Sequence, residues 1–163
     1  MKPAKNSAGA AEDRSTDFGT FNFAESYRHA SDRLRLSKIK ALSFDAPIRF
    51  LYYHSIELYL KSYLQSHGIS AAKIKSRYGH RFRKLERGCA KFGLNLDYED
   101  SEVIALIDGD NFWDARYLAT GFKTLATLNA LARTSDSLAR FGYERLREAG
   151  KPVRKPLRSP KRY

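Results

Sequence analysis

His54, Glu57 and Lys61 stand three and four residues apart, a spacing that on a helix stacks an imidazole, a carboxylate and an ammonium on one face. Two chemistries fit that trio. It can contact a nucleotide or phosphate, or it can close on itself as an internal network that specifies how a bundle packs. His80, directly behind Gly79, either caps the helix that follows or contacts phosphate. Asn111, Phe112, Trp113 and Tyr117 surround Arg116 and suit a base-stacking site or, equally, core anchors. Asp108, Asp110 and Asp114 lack the alternation and terminal Glu of a calcium loop and read as an acidic, solvated turn. The chain has no Gly-x-Gly, no zinc spacing and no Ser-His-Asp arrangement, so neither a metal nor a cofactor is expected.

The elements that must position these residues read as helices. Around residues 48–65, Ile48, Tyr52, Tyr53, Ile56, Tyr59, Leu60, Tyr63 and Leu64 fall within an arc of about 160° at 100° per residue, and Leu51 and Leu58 flank it. His54, Glu57, Lys61 and Gln65 gather on the remaining stripe. A helix apolar everywhere but along one stripe belongs at the centre of a bundle. Asp45 is placed to cap it, Pro47 suits its first turn, and Gly68 stops it. Before it, Phe23, Tyr27, Ala30, Leu34 and Ala41 predict an amphipathic helix over about 23–42. After it, helices are expected over about His80–Phe92, from Asp100 or Ser101 to a break at Gly109, over Asn111–Leu118, and over about Phe122–Glu148 with Gly142 as a weak point. The fold class is therefore all-α, an up-and-down bundle of four to five helices. Its domain occupies residues 21–150, between a mobile lead at 1–20 and an extended basic tail at 151–163 whose Pro152, Pro156 and Pro160 exclude a helix.

Charge is unevenly placed. The net value of +12 hides a segment at 73–91 with Lys73, Lys75, Arg77, Arg81, Arg83, Lys84, Arg87 and Lys91 against Glu86 alone. The tail adds Lys151, Arg154, Lys155, Arg158, Lys161 and Arg162, whereas 97–114 holds seven acids and no base but Arg116 lies just beyond. Basic clusters of this kind are the footprint of a nucleic-acid binder, unless the basic and acidic segments neutralise each other across a helix pair. One cysteine, Cys89, fits a reducing compartment, and neither a spanning apolar run nor a signal peptide is visible. A soluble cytoplasmic protein without a membrane partner is expected.

Three pieces occur in order: His54-Ser-Ile-Glu57-Leu-Tyr-Leu-Lys61-Ser-Tyr-Leu64, Gly79-His80-Arg-Phe-Arg-Lys-Leu85, and Asp114-Ala-Arg116-Tyr117. Together, over roughly residues 23–149, they resemble the HEPN domain (higher eukaryotes and prokaryotes nucleotide-binding). The resemblance implies a homodimeric helical bundle, a setting in toxin–antitoxin, CRISPR or phage-defence systems, and a nucleotidyltransferase or defence-complex partner. Active members are implied to be metal-independent ribonucleases in which an Arg, followed four to six residues later by a His, steadies phosphate charge while the His moves protons.

Arg49 and His54 match that spacing, yet the residue after the Arg is Phe50 and the motif lies on the second helix rather than a late one. Five residues on a helix also separate the two side chains by about 140°. The expectation is accordingly a protein that binds RNA or nucleotide without cleaving it, through His54, Glu57, Lys61, His80, Arg81, Arg83, Lys84, Arg87, Arg116 and Tyr117. The alternatives are an endoribonuclease using Arg49 and His54, and a protein-interaction module that binds no nucleic acid.

Overall fold

The computed structural model describes residues 15–37, 45–108, 112 and 124–160 of the chain. Among them every regular element is a helix: α1 (Asp17–Leu36), α2 (Ala46–Ser66), α3 (Ala71–Arg77), α4 (Phe82–Ala90), α5 (Tyr98–Ile107) and α6 (Leu128–Glu148). The all-α expectation holds at that level. α2 is the central element and packs against α1, α3, α4 and α6, while α5 joins α4 to α6.

The centrality of α2 follows from its sequence. All eight residues of the apolar arc, from Ile48 to Leu64, are buried. Tyrosines are tolerated there because their hydroxyls find partners: Tyr52 donates to Asp32 at 2.5 Å, Tyr63 to the Phe92 carbonyl at 3.1 Å, and Tyr59 to Glu25. At its start Pro47 occupies the first turn as expected, but Asp45, with φ 55°, makes no side-chain cap. At its end Gly68 turns the chain at φ 82°, and the Ile69 N–H donates back to the Leu64 carbonyl.

Several boundaries differ from those expected, and each is set by a cap. α1 begins at Asp17 rather than near Phe23, because the Thr16 hydroxyl accepts from the Gly19 N–H at 3.0 Å and lets Phe21 reach the core. It ends at Leu36, and residues 38–44 lie outside the described set. α3 was not anticipated; Ser70 caps it through the Lys73 N–H. α5 opens on Asp97, not on Asp100 or Ser101, and Asp100 is buried, accepting from Thr134 at 2.7 Å and Arg133 at 3.2 Å. α6 opens on Thr127 rather than at Phe122.

Residues 151–160 carry no helix, as the prolines require, but they are anchored to the bundle. Arg28, with no exposed surface, reaches Asp136 at 2.6 Å, the Leu157 carbonyl at 2.7 Å and Ser159 Oγ at 3.3 Å. Ser159 in turn donates its N–H to both oxygens of Asp136 at 3.0 Å, and its hydroxyl lies 2.9 Å from Asp32. Arg35 holds Asn129 at 2.7 Å and the Pro160 carbonyl. Two buried guanidiniums and two aspartates thus clasp the last described turn of chain to α1 and α6.

Candidate functional site

Glu57 is the hub of the polar stripe. Its side chain is 1% exposed, and α2 supplies two of its partners at helical spacing: Lys61 Nζ at 2.5 Å and His54 Nδ1 at 3.7 Å. The third, His80 Nδ1 at 2.8 Å, arrives from the turn between α3 and α4. Burial pushes the Glu57 carboxyl upward, but the His54 contact and the Lys61 and His80 charges outweigh it and hold the group down at about 2. Oε2 has no hydrogen bond among the described residues. The carboxylate therefore works as a fixed anionic peg that sets the positions of three nitrogen groups at the surface.

His80 does not cap α4, as its place behind Gly79 suggested it could. The Phe82 N–H is instead capped from a distance by Asp108 Oδ1 at 2.8 Å, while the His80 ring stacks on Phe112 at 5.6 Å. Asp108 is thus a structural cap for α4, while Asp110 and Asp114 of the expected acidic turn lie outside the described residues.

A groove crosses the surface beside this hub. Leu58, Lys61 and Gln65 of α2, Ala71, Ile74 and Lys75 of α3, and His80 line a depression of about 310 Å³. An adjoining one of about 250 Å³ continues to Gly19 and Phe23 of α1, and the two share Ser15, Thr20 and Leu58. Beyond Phe23 the aromatic surface goes on: Phe23 meets Tyr27 edge-on at 5.1 Å, Tyr27 meets His54 at 4.4 Å, and His54 stacks on Phe50 at 5.9 Å.

The third component is the face of α3 and α4. Lys73, Lys75, Arg77, Arg81, Arg83, Lys84, Arg87 and Lys91 are all exposed, because Ile74, Tyr78, Phe82, Leu85 and Cys89 take the buried positions of the same turns. Four of the five described acids of the neighbouring segment have other partners, and the fifth, Glu102, is exposed. Glu99 and Asp100 pair with Arg133, Asp97 caps α5 and Asp108 caps α4. A large cationic surface remains, suited by its charge to a polyanion.

Arg49 and His54 go to different partners. The Arg49 guanidinium donates to the Ala126 carbonyl at 2.5 Å, beside α6, whereas His54 faces Glu57 and Tyr27. Arg116 and Tyr117 lie outside the described residues. The structure thus brings His54, Glu57, Lys61 and His80 together, ranges Arg81, Arg83, Lys84 and Arg87 on the adjacent face, and gives Arg49 separate company.

No family model, no curated protein and no solved structure matches the chain. The sequence pattern missed Lys75 as a groove residue and Phe23 as an exposed one. The periodicity puts Phe23 on the apolar side of its helix, yet it is 55% exposed. The i, i+4 spacing of Phe23 and Tyr27 was the available signal for an aromatic pair.

Proposed function

We propose that the protein is a HEPN-like nucleic-acid-binding protein that holds a phosphate backbone on the cationic face of α3 and α4. The observation that carries this reading is that all eight bases of residues 73–91 are exposed, six of them on two consecutive helices and Arg81 and Lys91 at the ends of the second. Phosphate contacts supply most non-specific affinity for nucleic acid, and lysine and arginine on one face are its electrostatic footprint. Arg154, Lys155 and Arg158 are a second group of exposed bases, on a segment whose Leu157–Pro160 end is held to α1 and α6. The resemblance to HEPN domains supports a homodimer and a role in toxin–antitoxin or phage defence. The reading stops at binding, since Arg49 and His54 are engaged with Ala126 and Glu57 rather than with each other.

Charge reversal tests it. Arg83→Glu with Arg87→Glu is expected to weaken binding to RNA of any sequence by at least tenfold at low salt, measured by fluorescence anisotropy, with the fold intact because both side chains are exposed. Arg140→Glu, on α6, is the control and is expected to have a much smaller effect. Equal affinities for the double variant and the wild type would refute the proposal.

A further inference from the structure

The cationic face explains attraction to a polyanion but makes no use of the groove beside Glu57. That groove is graded along its length. At one end Phe23, 55% exposed, and Tyr27 offer aromatic surface; at the other, Lys61, Lys75 and His80 line the larger of the two depressions. Among the described residues its lining holds no acid. Lys75 belongs both to the groove and to the exposed bases of α3, so the groove opens onto the cationic surface.

The hub also makes the groove rigid. Glu57 fixes Lys61 and His80 at 2.5 and 2.8 Å, and His54 is held between Glu57 and the edge-on Tyr27 ring. Preorganised groups lose less entropy when a ligand arrives. From His54 to Lys61 the helix rises roughly 10 Å, about the length of two or three stacked nucleotides.

We infer that this groove seats an unpaired nucleotide, its base laid on the Phe23–Tyr27 aromatic surface and its phosphates against Lys61, Lys75 and His80. The inference rests on the nucleic-acid reading above and adds a strand preference to it. In a duplex the base faces are covered by their neighbours, so only an unpaired base can lie on a protein ring. The cationic face alone treats single strand and duplex as similar polyanions; the aromatic end separates them.

The experiment compares one labelled 12-nucleotide RNA, single-stranded or annealed to its complement, by fluorescence anisotropy against the full chain. Wild type is expected to bind the single strand more tightly. Phe23→Ala is expected to weaken single-strand binding about tenfold, in line with the loss of one stacked base, and to leave duplex binding unchanged. Phe23→Trp, which keeps an aromatic face, is expected to retain the preference. Loss on both RNAs alike after Phe23→Ala, or on neither, overturns the stacking site while leaving the cationic-face reading standing. Absence of binding by wild type to either RNA at low salt overturns that underlying reading as well.

Discussion

Lys61 Nζ lies 2.5 Å from Oε1 of Glu57, one helical turn before it, and the carboxylate at that contact is 1% exposed. An i, i+4 pair of this kind on a solvated helix contributes a few tenths of a kcal/mol. Here the same spacing operates against the core, with His54 and His80 completing the shell. The pair is therefore structural and positioning at once.

Acid stability reports on it. The Glu57 carboxyl titrates at about 2 in the fold against an ordinary 4.5, so its contribution is complete above pH 4.5 and is lost as pH falls from 4.5 toward 2. The difference corresponds to a contribution on the order of 3 kcal/mol. Urea unfolding of wild type is expected to weaken across that window, and Glu57→Gln is expected to lower stability at pH 7 while flattening the acid limb. Parallel pH profiles for the two proteins would show that the hub is not what titrates.

The clasp around Ser159 predicts that the C-terminal segment is part of the fold. A chain ending at Pro156 leaves Arg28 and Arg35 without the Leu157 and Pro160 carbonyls and Asp136 without Ser159. Buried charge stripped of partners costs several kcal/mol, so the truncated chain is expected to lose about 3 kcal/mol in urea unfolding. An unchanged midpoint would mean that the segment is a passenger.

Gly142 is expected to resist improvement. Replacing a helix-interior glycine by alanine normally gains about 1 kcal/mol. At this position an added Cβ would meet Phe21 Cε2 at 2.9 Å, and Phe21 is itself 1% exposed and cannot move aside. Gly142→Ala is expected to destabilise by about 1–3 kcal/mol, read as a lower Tm. The weak point seen in the sequence is the space that brings α1 against α6.

How much of this could be read from the chain depends on how local the cause was. The buried arc of α2 and the His54–Glu57–Lys61 stripe follow from helical periodicity, and both are present as expected. His80 could be named but not joined to Glu57, because that contact spans 23 residues and depends on the unanticipated α3. α3 escaped notice since seven residues with one buried side chain, Ile74, carry almost no periodic signal; only the Ser70 cap marks it. Arg28, Asp32 and Arg35 look like the wet face of α1, and nothing nearby in sequence reveals that Ser159 and Asp136 bury them. The exposure of all eight bases at 73–91 was legible only as composition, until the positions of Ile74, Tyr78, Phe82, Leu85 and Cys89 turned them outward.

The proposed function requires this outward-facing charge to bind nucleic acid. Its most direct measurement is the association constant for a labelled single-stranded RNA across a series of salt concentrations. With about six phosphates neutralised, log K is expected to fall against log salt with a slope near −4, and the Arg83→Glu, Arg87→Glu variant is expected to show a clearly shallower slope. A slope near zero, or one that the double reversal leaves untouched, would contradict it.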